Sequence, residues 1–319
     1  MKQKINIKTV ISSGFPINYF NELASRYKDI NFIKCSDNKN SILNKISNID
    51  VLVNCPRHIF TDELILKAKN LRWIHHGGAG IEEFMTPALK KSNILFTNGK
   101  IIQGPEVADH AIGLILSITR NIGLYNKKSL TLPRPIELRN KNCLVFGSGG
   151  IGMGILERLN SFGCNNYVTS NDLPPLTSFI KKFINLNDVN KSLKNMDIII
   201  CAAPSTFRTK NYFNSDFFKK LKNDCIFINV SRGSLVNTED LIKYLNLKKF
   251  RGVGLDVVNP EPLPKNHSLH SFDNVIYTPH IAGASDHNRK RSFDLLSDNI
   301  YRFKNKLKLY NIVDMTEEY

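Results

Sequence analysis

The chain has 319 residues, of which 42% are apolar, 23% charged and 9% aromatic. This is the composition of an ordinary globular protein, and it excludes a collagen-like, a low-complexity and a disulfide-framework protein. At roughly 150 residues per domain, the length predicts about two domains, each large enough to bury its own core. The six scattered cysteines form no C-x-x-C pair. They predict buried free thiols in a reducing compartment, and we expect no metal site.

The formal net charge of +16 arises from 44 Lys and Arg against 28 Asp and Glu. Such an excess would suit a nucleic-acid-binding protein, because neutralising phosphates dominates that affinity. The lysines are spread along the chain, however, and no basic stripe with interleaved aromatic residues is visible. We therefore expect no nucleic-acid partner, and a positive field that attracts small anionic substrates and cofactors.

No segment of the sequence has the pattern of a membrane or export signal. The first ten residues contain no continuous apolar run of signal-peptide length, and residues 111–118 are too short to span a bilayer. We therefore expect a cytoplasmic protein without a membrane partner.

The first hundred residues alternate between short β-rich runs and segments with helical periodicity. The predicted helices include residues 17–27 and 61–69, and the predicted strands are residues 8–12, 30–34, 51–54, 73–75 and 94–97. Strands that alternate with helices favour a parallel sheet covered on both faces.

A long helix is predicted from Gly104 to about residue 122, with Pro105 in its first turn, where proline removes no needed hydrogen bond. A second alternation follows this helix. Its elements are a helix at 150–161, a basic helix from 288 to about 309, and strands at 143–146, 167–170, 197–202, 225–230, 252–257 and 274–277. Two alternations divided by a long helix predict two parallel-sheet domains.

A G-x-G-x-x-G pattern follows the strand at 143–146 and opens the next helix, with its glycines at Gly147, Gly149 and Gly152. In that context the pattern is typical of a dinucleotide site. Gly147 would make the tight turn, Gly149 would let the backbone approach a pyrophosphate, and Gly152 would allow close helix packing. The alternative is a structural turn that holds no cofactor.

The same loop predicts how a dinucleotide would be held. The amides of Gly150 and Ile151 would face the phosphates from the positive end of the helix dipole. About twenty residues further on, an acid at the end of the next strand would bind the ribose hydroxyls, and Asp172 is the predicted residue. Its charge would repel a 2′-phosphate, so NAD is predicted over NADP. If Asn171 holds that position instead, the preference weakens.

Three later strands are each followed by ionisable residues. Arg232 follows one strand, Asp256 and Glu261 follow the next, and His280 follows the last. The carboxyl ends of strands line the ligand crevice in doubly wound sheets. All of these residues are therefore expected at the edge where the glycine loop lies.

These side chains suit the reduction of a 2-oxo acid by a nicotinamide cofactor. The planar fork of Arg232 can bind both carboxylate oxygens of the acid. His280 can supply a proton near neutral pH, and Glu261 beside it would orient the ring and stabilise the imidazolium. The alternatives are a surface ion pair for Arg232 and a structural role for His280.

The sequence closely resembles the D-isomer-specific 2-hydroxyacid dehydrogenase family. The resemblance covers nearly the whole chain, and the segments that carry it most specifically are 147–152, 229–237, 255–262 and 278–285. It implies an α/β protein with two parallel-sheet domains. A Rossmann NAD-binding domain would comprise 101–286, and a flavodoxin-like substrate domain 1–100 plus 287–319. The active site would lie in the cleft between them, and the protein would form a homodimer.

The resemblance also implies roles for individual residues of the nucleotide-binding domain. Arg232 would bind and polarise the substrate, and His280, paired with Glu261, would be the acid/base. Asp256 would contact the nicotinamide carboxamide, and the nicotinamide ring would be lined by Val230 and Ser231.

In the first domain the segment 77–81 resembles the family's substrate loop. The resemblance implies that backbone amides of this loop hold the substrate carboxylate, and the residues that match are Gly78, Ala79 and Gly80.

The substrate itself stays open between small 2-oxo acids, such as glyoxylate or hydroxypyruvate, and the phosphorylated acid 3-phosphoglycerate. Arg57, His75 and His76 lie near the expected substrate side of the first domain. One interpretation is that they form a cationic pocket for a second anionic group. The other is that Arg57 and His76 are solvated loop residues and that His75 ends a strand.

A second function is also open, an NAD(H)-sensing binding protein similar to transcriptional corepressors. Such a sensor would need the cofactor site but not Glu261 and His280.

Overall fold

A computed structural model describes residues 8–12, 14–122, 133–170 and 178–316. The chain divides into two compact units, Met1–Ile102 with Asp286–Tyr319, and Gln103–Ser285. Each unit is built on one all-parallel sheet, of five strands in the first and seven in the second. The predicted α/β class with two parallel sheets is therefore confirmed.

The first unit has the strand order β2-β1-β3-β4-β5. Its strands differ from the predicted ones by at most one residue at either end, and they are β1 (Lys8–Ser12), β2 (Asn31–Cys35), β3 (Val51–Val53), β4 (Trp73–His75) and β5 (Leu95–Thr97). The helices between them are α1 (Ile17–Arg26), α2 (Lys39–Ile46), α3 (Asp62–Lys67) and α4 (Pro87–Lys90).

The second unit has the strand order β12-β11-β10-β9-β6-β7-β8. These strands are β6 (Asn142–Phe146), β7 (Asn165–Thr169), β8 (Lys182–Phe183), β9 (Ile198–Cys201), β10 (Cys225–Asn229), β11 (Phe250–Leu255) and β12 (Val275–Tyr277). Its helices are α5 (Gly104–Arg120), α6 (Gly150–Ser161), α7 (Val189–Ser192), α8 (Ser215–Lys220) and α9 (Thr238–Asn246). Helix α5 ends where Asn121 adopts left-handed backbone angles, which stops the helical hydrogen bonding.

Helix α10 (Asn288–Lys304) follows the second unit and packs in the first. The hydroxyl of Tyr27 donates to the carbonyl of Ser297 at 2.9 Å, and the ring of Tyr19 stacks on Phe293. The helix ends earlier than predicted, and the chain after it pairs with β5, where the amide of Val313 donates to the carbonyl of Phe96 at 2.9 Å.

The two faces of the first sheet bury different side chains, because successive residues of a strand point to opposite faces. Leu52 of β3 packs in one cluster with Phe96. Its neighbour Val53 packs in the other cluster with Trp73 and with Phe293 of α10. Helix α10 therefore completes the core of the first unit.

Helices α2, α8 and α9 were not predicted from the sequence. Each begins after an asparagine whose side chain accepts hydrogen bonds from the first turn, and these residues are Asn38, Asn214 and Asn237. Asparagine is a favoured residue at this position because its side-chain oxygen satisfies otherwise unpaired amides. The signal for these helices was therefore present in the sequence.

All six cysteines are free, and burial raises the pKa of both Cys201 and Cys225 to about 12. None of the helices in the described part of the chain is long and apolar enough to cross a bilayer.

The core of the second unit offers a stability test. Phe227 of β10 is fully buried, whereas the side chain of Phe207 is 95% exposed. Replacing Phe227 by Ala should lower the free energy of unfolding by about 3–5 kcal/mol, because it leaves a cavity among packed rings. The Phe207→Ala variant should unfold like the parent in urea, monitored by circular dichroism. Equal losses in the two variants would contradict this packing.

Candidate active site

The carboxyl ends of the seven strands in the second unit form one edge of the sheet, and the predicted site residues follow them. Gly147 comes after β6, Arg232 after β10, Asp256 after β11 and His280 after β12. The chain order reverses at β6, because β7 and β8 lie on one side of it and β9 to β12 on the other. Ligands of open α/β sheets bind outside the strand ends at such a reversal.

The glycine loop makes a tight turn against the start of α6. Gly147 has a φ of +101°, in the region that favours glycine, and its amide donates to the carbonyl of Thr169 at 2.7 Å. A Cβ at Gly152 would lie only 1.9 Å from the carbonyl oxygen of Gly147. Only glycine fits at this contact between the helix and the turn.

The first turn of α6 is open to a ligand. A Cβ built at Gly149 would meet no heavy atom within 4 Å, and no described side chain caps the helix here. The amides of Gly150 and Ile151 begin the helix, where N–H groups have no partner within the helix. The turn and this helix start therefore fit the phosphates of a dinucleotide.

The predicted ribose-binding residue Asp172 lies outside the described residues, as does Asn171. The described chain does bring the end of β7 to the glycine loop. The hydroxyl oxygens of Ser148 and Ser170 lie 2.8 Å apart.

The segment that follows β10 is held by the side chain of Asn229. Its Oδ1 accepts from the amide and the hydroxyl of Ser231, each at 3.1 Å, and its Nδ2 donates to the carbonyl of Arg232 at 2.9 Å. Val230 and Ser231 are buried, and Arg232 is half-buried. Asn229 therefore fixes the backbone from which the Arg232 guanidinium extends.

The carboxylate of Asp256 is 1% exposed and holds the segment that carries His280. Its Oδ1 accepts from the Thr278 hydroxyl at 2.6 Å and the Ile281 amide at 3.0 Å, and its Oδ2 accepts from the Ala282 amide at 3.0 Å. The amide of His280 donates to the carbonyl of Asp256 at 2.8 Å. Asp256 thus anchors this segment, and its implied contact with nicotinamide stays a prediction.

His280 and Glu261 are brought together by the structure. The Nδ1 of His280 lies 2.6 Å from Oε1 of Glu261, with 45% and 36% of the two side chains exposed. His280 has a φ of +54°, a left-handed conformation that is uncommon for a residue with a Cβ. Because Nδ1 is bonded to the carboxylate, Nε2 is the ring nitrogen that remains to exchange a proton with a ligand.

His110 belongs to the same network, although the sequence analysis gave it no role. It lies on α5, and its Nε2 is 2.9 Å from the Thr278 hydroxyl and 3.5 Å from Oδ1 of Asp256. A histidine in a helix gives no sign of such a contact unless the position of the helix on the sheet is known.

The predicted substrate loop follows β4 in the first unit. The carbonyl of Gly78 accepts from the Gly99 amide at 2.8 Å. By contrast, the amides of Gly78, Ala79 and Gly80 have no hydrogen-bond partner within the described ranges. Successive unpaired amides in a turn form a site for an anion. The loop geometry therefore fits a bound carboxylate.

Two asparagines that the sequence analysis missed hold this loop. Oδ1 of Asn54 accepts from the Gly77 amide at 2.7 Å, and Nδ2 of Asn98 donates to the Ala79 carbonyl at 2.7 Å. Asn54 follows β3 and Asn98 follows β5, on the two sides of β4. Their side chains bind the loop without using the amides that would meet a ligand.

The two histidines before the loop are neutral at neutral pH. His75 is buried at the end of β4, where Nδ1 lies 2.9 Å from the Thr97 hydroxyl, and burial lowers its pKa to about 3. Burial and then the nearby charge of Arg57 lower the pKa of His76 to about 4. Of these three predicted candidates, only Arg57 carries a charge.

The second unit thus has an open glycine turn, a guanidinium and a His–Glu pair at one sheet edge. The first unit has a loop whose amides are unpaired among the described residues. Among the described residues, no three or more His, Cys, Asp or Glu side chains lie together in a group that could hold a metal ion. A tight glycine turn at the start of a helix, a histidine bonded to a carboxylate, and donors suited to an anion are the features expected of a nicotinamide-dependent dehydrogenase.

Comparison with known families supports this class. Residues 112–282, more than half of the chain, match the sequence profile described as D-isomer specific 2-hydroxyacid dehydrogenase, NAD binding domain. The chain belongs to the D-isomer specific 2-hydroxyacid dehydrogenase family, and it is an enzyme.

Two curated relatives are similar over most of their length. Glyoxylate reductase/hydroxypyruvate reductase of Homo sapiens is 31% identical over 252 residues, covering 75% of this chain and 76% of that protein. Glyoxylate reductase of Thermofilum pendens is 30% identical over 275 residues, covering 82% of this chain and 80% of that protein.

A solved structure shares the fold. The crystal structure of a D-isomer specific 2-hydroxyacid dehydrogenase from Xanthobacter autotrophicus, in complex with NADPH, superposes with a TM-score of 0.84 at 20% identity. The match covers 98% of this chain and 99% of that one.

Two glycines of the same loop should respond differently to substitution. Gly152→Ala forces a Cβ against the Gly147 carbonyl and should lower the free energy of unfolding by about 1–3 kcal/mol. Gly149→Ala places its methyl group in open space and should leave the urea unfolding curve nearly unchanged. If Gly152→Ala is as stable as Gly149→Ala, the close contact is absent.

His76 should make stability depend on pH. Its pKa is about 4 when folded, against 6.5 as the usual value, so between these pH values only the unfolded chain takes up the proton. The stability from neutral His76 is therefore complete above pH 6.5 and falls toward pH 4, by about 1.4 kcal/mol per pH unit. In His76→Gln the free energy of unfolding, measured with urea, should fall less steeply between pH 6 and pH 4.5 than in the parent.

The exposed His58 provides the control for this measurement. In His58→Gln the free energy of unfolding should change with pH as it does in the parent. An unchanged slope in His76→Gln would show that the ring is protonated in the folded protein.

Proposed function

We propose that this enzyme transfers a hydride between NAD(H) and a small 2-oxo or 2-hydroxy acid, with His280 as the acid/base. The observation that carries the proposal is the 2.6 Å contact between His280 and Glu261, on the sheet edge that also holds the glycine turn. The relatives named above are reductases of glyoxylate and hydroxypyruvate. Small 2-oxo acids and the corresponding 2-hydroxy acids are the proposed substrates.

The dinucleotide would be held at the carboxyl edge of the second sheet, and when bound it would supply or accept the hydride. The residues proposed to bind its phosphates are those of the turn and the first turn of α6, namely Gly147, Gly149, Gly150, Ile151 and Gly152. Val230 and Ser231 would line the nicotinamide ring. Asp256 retains acceptor capacity for the carboxamide, because a carboxylate offers about four lone-pair sites and three are used here.

NAD is the proposed cofactor, with Asp172 binding the ribose hydroxyls. The reason is the charge of Asp172, which would repel a 2′-phosphate. The structural relative bound to NADPH shows that this fold also serves the phosphorylated cofactor, so both cofactors belong in any assay.

Each unit has its own donors suited to the carboxylate of the substrate. The planar guanidinium of Arg232 can bind two oxygens at once and polarise the substrate. The unpaired amides of Gly78, Ala79 and Gly80 supply further donors that are already fixed in place.

The proton for the carbonyl oxygen would come from Nε2 of His280. Glu261 holds the ring at Nδ1, so the tautomer and the orientation are set before the substrate arrives. The same carboxylate stabilises the imidazolium that donates the proton.

The alternative, a sensor of NAD(H), needs the glycine turn but no acid/base pair. The direct bond between Glu261 and His280 favours the enzyme. The cytoplasmic location and the homodimer implied by the family resemblance remain predictions.

The proposal is tested by following oxidation of NADH and of NADPH at 340 nm with a panel of 2-oxo acids. We expect turnover with at least one acid and a preference for NADH. His280→Ala should lower kcat by about 10²–10⁴-fold, because it removes the proton donor. His270→Ala changes another exposed histidine of the second unit and should keep full activity.

Two outcomes would contradict the proposal. Binding of NADH, seen by calorimetry, without turnover of any acid in the panel would exclude these acids as substrates. Undiminished kcat in His280→Ala would remove this residue from the proton transfer.

A further inference from the structure

A cavity of about 730 Å³ opens beside the substrate loop, entirely within the first unit. Three cationic residues from distant parts of the sequence line it, Lys34 of β2, Arg57 after β3, and Arg289 of α10. No Asp or Glu is among the described residues that line it. The carboxylate of Asp37 lies behind this lining, where its Oδ1 accepts from the Ser12 hydroxyl at 2.6 Å, so the described lining itself is cationic or neutral.

The cations of this cavity are only weakly neutralised by the protein. Within the described ranges, Lys34 and Arg289 form no ion pair or side-chain hydrogen bond. Arg57 approaches Glu83 at 3.5 Å, with both side chains more than half exposed. A pair of that kind contributes little free energy, so Arg57 can change partners.

His76 adds a polar group to the same wall. Both ring nitrogens are buried without a partner among the described residues, and the ring packs on Phe84 with centroids 4.5 Å apart. Because the ring is neutral, it can donate one hydrogen bond and accept another. A buried imidazole that lacks both bonds gains from a ligand that supplies them.

The cavity and the substrate loop share a wall, because Gly77 and Gly78 line the cavity and the unpaired amides begin at Gly78. A Cβ at Gly78 would lie 2.7 Å from Nε2 of His76, so the loop and the ring are in close contact. A ligand held by the loop amides therefore lies at a wall of the cavity that the three cations also line.

We propose that this cavity binds a second anionic group of the substrate, so that the enzyme prefers dianionic 2-oxo acids over monoanionic ones. Lys34, Arg57 and Arg289 determine this specificity, and His76 adds a hydrogen bond. The proposal rests on the function proposed above, because it extends the same substrate from its carboxylate into the cavity.

The test compares kcat/KM for three kinds of acid with NADH as reductant. Glyoxylate and hydroxypyruvate carry one anionic group, oxaloacetate and 2-oxoglutarate carry a second carboxylate, and phosphohydroxypyruvate carries a phosphate. We expect at least one dianionic acid to exceed both monoanionic acids by about tenfold or more. Comparing the two dicarboxylic acids with phosphohydroxypyruvate shows whether the cavity prefers a carboxylate or a phosphate.

Variants then assign the preference to the cavity. Arg57→Met, Lys34→Met and Arg289→Met should each lower kcat/KM for the best dianionic acid by about tenfold, as expected for losing one charge-assisted hydrogen bond. Their kcat/KM for glyoxylate should change by less than about twofold. Arg57→Lys should recover part of the loss. Lys28→Met removes an exposed cation of the same unit outside the cavity, and it should change kcat/KM neither for the dianionic acid nor for glyoxylate.

Binding without turnover separates this proposal from the proposed function. Calorimetry with tartronate, a dianion, and glycolate, a monoanion, should show tighter binding of tartronate to the parent but not to the triple Met variant. If no acid is reduced, the function fails and calorimetry alone decides about the cavity. A preference for monoanionic acids, or equal tartronate binding by parent and triple variant, would overturn the cavity proposal.

Discussion

The buried carboxylate of Asp256 is the interaction on which the site in the second unit depends. A carboxylate with 1% exposure has lost its hydration, and this cost is offset only if its oxygens are well bonded. Three donors from Thr278, Ile281 and Ala282 meet that need. These residues surround His280, so satisfying one buried charge also fixes the backbone that carries the imidazole. The uncommon φ of His280 is held by the same bonds.

In the first unit, neutral side chains hold the substrate loop in place. Asn54 and Asn98 bind the substrate loop at a backbone amide on one side and a carbonyl on the other. The amides between them stay unpaired, so their donors are oriented before a ligand arrives and need no rearrangement. In both units, side chains that would not touch the substrate hold the groups that would touch it.

Sequence alone identified the features that are encoded locally. The glycine motif, with its flanking strand and helix, specified the turn at Gly147, and Arg232, Glu261 and His280 could be placed because each follows a strand of one parallel sheet. The supporting residues could not be found in this way. Asn98 reaches Ala79 only because β4 and β5 are neighbours, and His110 reaches Thr278 only because of where α5 lies. Such contacts depend on register and packing, which no local pattern contains.

The return of the chain into its first unit has a consequence for biosynthesis. Residues Gln103–Ser285 form a compact body that is complete before α10 has been synthesised. The amino-terminal sheet, in contrast, lacks Phe293 from its core and the pairing of Val313 beside β5 until the last part of the chain leaves the ribosome. The segment of the protein that is translated first must therefore finish folding last, and its apolar face stays uncovered in the nascent chain.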